Sequence, residues 1–202
     1  LQISIFDGIL GFNVGNAAEA EILGFEIDGR WAVSDRVMIT GGAAFTDFEF
    51  RSFENGQCYF GQDANVDIDG DGTPELCSYT GKSNQMVSDI QANMSIQYDQ
   101  PVGDNLLFRA HVDWFYTSEY DASATFDPAL VQGDYTTYNA RVAVGSVDGG
   151  WEVALLGRNL TDKKVLQFGG DTPLAGSNFL AKSNYAFFGR GRTLALQATF
   201  NF

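Results

Sequence analysis

No run of this 202-residue chain approaches the roughly 20 apolar residues that a membrane-crossing helix requires, although 45% of its residues are hydrophobic. That absence argues against a membrane-crossing helix within these residues. It does not exclude strands, because in a strand only alternate residues meet lipid. Basic residues are scarce: 12 Lys and Arg stand against 26 Asp and Glu, a formal charge of -14. This balance argues against a nucleic-acid partner, which would need a basic face. There are 2 Cys, 4 Pro and 1 His. No Cys-x-x-Cys pair is present, which argues against zinc. No Gly-x-Ser-x-Gly elbow and no phosphate-binding loop occurs, and we expect no enzyme. The chain opens on Leu1 without an initiator Met or a signal peptide, so we read it as a piece of a longer precursor.

Aromatics and glycine are plentiful: 17 Phe, 8 Tyr, 3 Trp and 23 Gly. This composition suits antiparallel sheet better than helix. The last eleven residues alternate apolar Leu194, Leu196, Ala198, Phe200 and Phe202 with small or polar Thr193, Ala195, Gln197, Thr199 and Asn201. One face is greasy and the other wettable. Asp89 to Gln97 alternate with Ile90 to Tyr98. Arg109, His111 and Asp113 alternate with Phe108 to Tyr116. Asn139 and Arg141 alternate with Tyr138 to Val144, and Glu26, Asp28 and Arg30 with Phe25 to Val33. Stretches 37–50 and 151–160 carry small and apolar residues on both faces. With Leu1–Phe6 the pattern predicts about eight strands. Several are longer than the usual five or six residues and long enough to cross a bilayer obliquely.

The connections are asymmetric. Val33–Arg36, Asp99–Asp104 and Ser146–Gly150 are tight polar turns. Phe53–Ser83, Glu119–Asp134 and Leu166–Gly191 are long. Short and long links alternate, so one sheet edge carries turns and the other large loops. This predicts an all-β, transmembrane antiparallel β-barrel with long external loops. A soluble β-sandwich also alternates, but with shorter strands and more even loops.

Trp151-Glu-Val-Ala-Leu-Leu-Gly-Arg-Asn-Leu-Thr-Asp162 resembles the penultimate strand of TonB-dependent outer-membrane receptors. Gly191-Arg192-Thr193 followed by Phe200-Asn201-Phe202 resembles their final strand, with Gly191 where the family usually has Pro. Asn16-Ala-Ala-Glu-Ala-Glu-Ile-Leu-Gly-Phe-Glu26 resembles a further strand opening of the family. The resemblance implies that residues 1–202 are the C-terminal part of a 22-stranded barrel, without its N-terminal plug domain. It implies a multi-pass protein of a Gram-negative outer membrane, surrounded by lipid. Its ligand would be a scarce nutrient such as a siderophore, cobalamin or glycan. Import would be driven by the TonB energy complex acting through the missing N-terminal region. Phe200 and Phe202 would be the terminal signal for membrane assembly. Glu26, Asp28, Arg30, Asp89, Arg109, His111, Asp113 and Arg141 would face the lumen, a reading preferred over an acid–base site around His111. A passive porin of about eight strands and a secreted calcium-dependent β-sandwich remain the alternatives.

The longest loop holds Cys58 and Cys77 around Asp67-Ile-Asp-Gly-Asp-Gly-Thr-Pro-Glu75. Carboxylates at alternate positions followed by glycine can wrap a hard cation. The side chains of Asp67, Asp69, Asp71 and Glu75 and the Thr73 carbonyl would ligate Ca2+. The competing reading is a solvated acidic turn. An EF-hand is excluded, since its twelfth position is Ser78 and no helix flanks the loop. Two cysteines alone allow free thiols. A loop in an oxidising compartment favours a bridge between them.

Overall fold

The computed structural model describes residues 2–6, 12–16, 19–173, 175 and 180–201. Strands β1 (Gln2–Phe6) and β2 (Phe12–Asn16) form a hairpin of their own. The main sheet begins with β3 (Glu19–Ser34), β4 (Val37–Ser52), β5 (Ile90–Val102) and β6 (Leu106–Thr117). The short β7 (Tyr120–Asp121) and β8 (Val131–Gln132) pair within the next connection. The main sheet resumes with β9 (Tyr135–Ser146) and β10 (Trp151–Arg158). A hairpin of β11 (Leu166–Asp171) and β12 (Asn184–Phe188) precedes β13 (Thr193–Phe200).

The seven-stranded sheet has the order β13-β10-β9-β6-β5-β4-β3, antiparallel throughout, and is open at both edges. Chain neighbours are sheet neighbours, joined alternately by tight turns and by connections of many residues. Two sequence expectations need correction. The first stretch, 2–6, is not a strand of this sheet. It pairs with Phe12–Asn16, where Phe12 and Val14 alternate with Asn13, a short signal the count of eight passed over. The long connections are also not plain loops, since two of them contain hairpins.

Register carries one parity across all seven strands. Trp31, Ile39, Ile96, Val112, Ala140, Gly157 and Leu194 lie in one cross-strand row. The neighbouring row holds Ala32, Met38, Gln97, His111, Arg141, Leu156 and Ala195. Side chains directly opposite share a face, and successive residues take opposite faces. One face is therefore apolar and the other largely polar. The apolar face is uncovered: Phe25, Trp31, Leu155, Leu194 and Leu196 are all more than half exposed. A sandwich would bury that face under a second sheet. Its aromatic residues gather near the strand ends. Trp31, Tyr98, Phe108, Trp151 and Phe200 lie toward the short turns, and Phe25, Phe45, Trp114, Tyr116 and Tyr138 toward the long connections. Aromatic bands on both sides of an apolar belt are what two membrane interfaces select.

The buried core lies at the long-connection end, not between sheet layers. Phe48, Phe50, Phe53, Cys77, Tyr79 and Phe126 form it. Successive rings from Phe48 to Phe126 meet edge to face at 4.7–5.0 Å. Phe48 and Phe50 belong to the polar face by register, so the first long loop folds over that face. Cys58 and Cys77 form a disulfide, with Cys77 fully buried in the aromatic cluster. Replacing both cysteines with Ser should cost the loop about 3 kcal/mol by the loop-entropy argument. Chymotryptic cleavage after Tyr59 and Phe60 should then accelerate sharply. An unchanged cleavage rate would mean that the aromatic cluster alone holds the loop.

Candidate functional site

Two zones concentrate polar chemistry. The first is the polar face of the sheet. Glu26, Asp28 and Arg30 lie on it along the exposed edge strand β3, and Arg109, His111, Asp113 and Arg141 lie on β6 and β9. Asp89 sits one residue before β5, where its carbonyl accepts the Thr46 N–H at 2.9 Å. The structure thus brings four of the eight residues close together. His111 Nε2 lies 2.7 Å from Asp113 Oδ1, which also accepts from the Ser95 hydroxyl at 2.5 Å.

Arg109 and Arg141 converge on a residue that sequence reading missed, Glu152. Arg109 Nη1 donates to Glu152 Oε2 at 3.0 Å, and Arg141 donates to the other carboxylate oxygen. Glu152 was hidden inside the apolar stretch 151–160, whose parity its two neighbours Trp151 and Val153 reveal only once β9 and β13 are in register. Gly145, its cross-strand partner, lets β9 and β10 lie close together, because a Cβ there would stand 2.7 Å from the Trp151 carbonyl oxygen. Ala143 and Ala154 are buried beside this cluster. A cavity of about 170 Å³ opens at its turn-side end, lined in part by Leu107, Arg109, Trp151, Glu152 and Asn201. Two guanidiniums on one carboxylate leave donors free, so the cluster can hold an acidic or carbonyl-rich surface without proton chemistry.

The second zone is the set of long connections, which interlock. Asp127 is nearly fully buried and caps the 3-10 turn Pro128–Leu130 by accepting the Ala129 N–H. It also accepts from Lys182 Nζ at 3.0 Å and from Asn184 Nδ2 at 2.9 Å, both on the third connection. Lys182 in turn lies 5.3 Å from the centroid of the Tyr59 ring on the first connection. The Phe60 N–H donates to Asp171 at 2.9 Å, the Gly169 N–H to the Ala122 carbonyl at 2.9 Å, and the Tyr120 hydroxyl to the Leu166 carbonyl at 2.8 Å. Three connections are therefore tied into one cap. Within it, Phe187 and Phe188 of the aromatic run 185–188 stay about 60% exposed on β12.

The acidic turn of the first connection is exposed. Ligand oxygens of Asp67, Asp69, Asp71 and Glu75 lie within 4.8 Å of one another. Both Asp67 oxygens accept backbone N–H groups, from Gly70 at 2.6 Å and Gly72 at 2.8 Å. Donation from Gly72 and then Gly70 holds the Asp67 carboxyl below its usual range. Thr73 enters the turn through its N–H, which donates to Asp71 at 2.8 Å. Hard oxygens at this spacing fit calcium. Phe200 is exposed on the apolar face of β13, and Phe202 lies outside the described residues.

A family model described as "TonB dependent receptor-like, beta-barrel" matches residues 2–161. No curated protein sequence matches. Among solved structures, the ferric yersiniabactin uptake receptor of Yersinia pestis is similar at a TM-score of 0.70 and 15% identity, over 94% of this chain and 25% of that one. A siderophore receptor of Acinetobacter baumannii gives a TM-score of 0.62 and 19% identity, over 98% of this chain and 23% of its own. The ferric preacinetobactin receptor of the same species gives 0.61 and 15%, over 100% and 26%. The chain thus spans about a quarter of the length of these receptors, and at such identities the likeness is one of fold.

Asp127 offers a test of the cap. Burial pushes its carboxyl up, but the Ala129 N–H, Asn184 and Lys182 outweigh burial and hold it below the ordinary value. A carboxyl depressed on folding stabilises above its unfolded value of about 3.9 and loses that contribution as pH falls through the lower folded value. Asp127→Asn should cost the cap about 2–3 kcal/mol at neutral pH. Hydrogen exchange in 118–134, 159–173 and 180–192 should quicken in the variant. The protection factors of the wild type, corrected for the intrinsic exchange rate at each pH, should fall to those of the variant only in strong acid.

Proposed function

Because the chain belongs to the β-barrel family of TonB-dependent receptors, we propose that it forms one sector of an active importer in the outer membrane of a Gram-negative bacterium. The observation that carries this reading is the single-parity sheet, whose apolar face lies bare between two aromatic bands. In water such a face would aggregate, whereas in hydrocarbon it is the ground state. The polar face then lines the lumen. Glu26, Asp28, Arg30, Asp89, Arg109, His111, Asp113 and Arg141 contribute to that lining, joined by Glu152. The Arg109–Glu152–Arg141 cluster offers free donors to a plug domain or to the passing solute. The cap of three tied connections forms part of the outer vestibule. The transported ligand is a scarce nutrient, and siderophores are the class suggested by what the similar solved receptors are named for. No catalytic step is assigned to any residue.

Energy coupling separates this reading from a passive porin. In cells carrying the whole receptor, an uncoupler of the inner membrane should abolish accumulation of the labelled nutrient and leave binding at the cell surface intact. Accumulation that persists with the uncoupler would support the porin instead.

The acidic turn carries a finer proposal: Asp67, Asp69, Asp71, Glu75 and the Thr73 carbonyl hold calcium and stiffen the first connection. Four carboxylates so close repel one another without a cation. An affinity of about 10⁻⁴–10⁻³ M suits a site facing the medium. Calorimetry should show calcium heat for the wild type and at least a tenfold weaker response for Asp69→Asn. The substitution keeps an acceptor for the Asp71 N–H and removes one charge. Equal responses, or none, would leave the segment as an acidic turn.

A further inference from the structure

The Asn159-Leu-Thr-Asp162 turn does more than end β10. Asn159 and Asp162 both adopt left-handed backbone, at φ of 48° and 54°. The Asn159 side-chain oxygen accepts the Lys163 N–H at 3.0 Å. Its amide donates to the Lys163 carbonyl at 2.9 Å and to the Arg190 carbonyl at 3.2 Å. Asp162 accepts the Arg192 N–H at 2.8 Å. Two segments some thirty residues apart are thereby clamped side by side, and they bring Lys163, Lys164, Arg190 and Arg192 together. All four are exposed, and none forms an ion pair with a described residue. They make up a third of the 12 basic residues in a chain of charge -14.

The place of this cluster is specific. Gly157 belongs to the apolar face by register, and a Cβ on it would lie 2.5 Å from Leu160 Cδ2 and 3.3 Å from Leu194 Cδ2. The turn therefore folds its Leu160 onto the apolar face, beside Leu194. The four cations follow within a few residues, directly beyond the end of the apolar belt on its long-connection side. At the far edge of the sheet the corresponding rim is acidic: Glu21 and Glu49 flank Arg51 and pair with it at 2.7 and 2.8 Å.

We propose that Lys163, Lys164, Arg190 and Arg192 form a docking surface for the phosphate-bearing headgroup of an outer-leaflet lipid. The inference rests on the membrane reading above, in which the apolar face meets lipid. A headgroup whose acyl chains lie against Leu194, Leu160 and Leu155 presents its phosphates at the level of these cations. Juxtamembrane cations attract anionic headgroups additively, and exposed ones without partners pay no price of breaking an ion pair. Binding there fastens one flank of the barrel wall to the leaflet and leaves the acidic rim free of lipid phosphate.

The test uses the whole receptor in neutral detergent micelles, titrated with lipid A and with lipid A stripped of its phosphates. The combined variant Lys163→Gln, Lys164→Gln, Arg190→Gln and Arg192→Gln should lose roughly fivefold in affinity per cation, so more than a hundredfold in all. The clamp should persist, since Asn159 and Asp162 bind backbone groups. Arg51→Gln, on the acidic rim, should bind lipid A as the wild type does. The dephosphorylated lipid should bind the wild type as weakly as intact lipid A binds the variant, a comparison that needs no mutation. Lipid A affinity within threefold of wild type in the variant would overturn the proposal. So would displacement of lipid A from the wild type by millimolar inorganic phosphate, which would mark a site for free anions. The membrane reading fails separately: spin labels at Leu155 and Leu196 would then show no access to lipid-soluble oxygen, whatever the headgroup result.

Discussion

Everything in this molecule depends on an unbroken antiparallel ladder. In hydrocarbon a strand has no water to satisfy its N–H and C=O groups, so each must be paired by a neighbour. Pairing fixes register, and register fixes parity, because a slip of one residue would exchange the two faces of a strand. The row from Trp31 to Leu194 and its neighbour from Ala32 to Ala195 run through all seven strands without a change of face. The apolar belt, the aromatic bands and the polar wall are consequences of that single parity. Within the seven-stranded sheet, bulges are confined to the ends of β3, between Glu19 and Ala20 and between Ala32 and Ser34, where they do not exchange the faces of the span.

The same constraint explains where the core lies. One face of the sheet is apolar and uncovered and the other largely polar, so no second layer buries side chains. Burial is displaced to the long-connection end. There an aromatic ladder and a disulfide hold the first connection, and Asp127 joins the second to the third. A buried carboxylate needs partners, and the partners it finds lie 55 and 57 residues away in the chain. The cap is consequently a product of long-range polar contacts, whereas the wall is a product of local alternation.

That difference sets what could be read from the sequence. The wall was legible because alternation is a local signal: the spacing of Arg109, His111 and Asp113, or of Asn139 and Arg141, predicts the face of each residue without its partner. Glu152 escaped because its strand carries Ala154 and Leu156 on the polar face, so the alternation there is too faint to show a side. Hairpins β7–β8 and β11–β12 escaped because two to six residues give too few periods, and the first has only one apolar residue per strand at most. The pairing of Asp127 with Lys182 and Asn184 has no sequence signal at all. The acidic turn lies between these cases. Its spacing announced four converging carboxylates, but not that backbone N–H groups already occupy both oxygens of Asp67.

The Asn-Leu-Thr-Asp run shows how a family-like motif can be physical before it is functional. Its resemblance drew attention to residues 159–162, and the structure supplies the reason for those side chains. Asn tolerates the left-handed turn and offers both an acceptor and two donors, which Asp or Ser could not combine. Asp162 approaches the position of Gly191 so closely that a Cβ there would lie 3.0 Å from its oxygen, which gives a reason for glycine at that point. Together they close the long-connection ends of β10 and β13, two strands of only 8 residues each, where fraying would leave backbone groups unpaired. A clamp needed for the ladder thus also decides which side chains stand at the rim. The backbone of Lys163, Arg190 and Arg192 is held by the clamp, so their side chains stay free to stand at the rim.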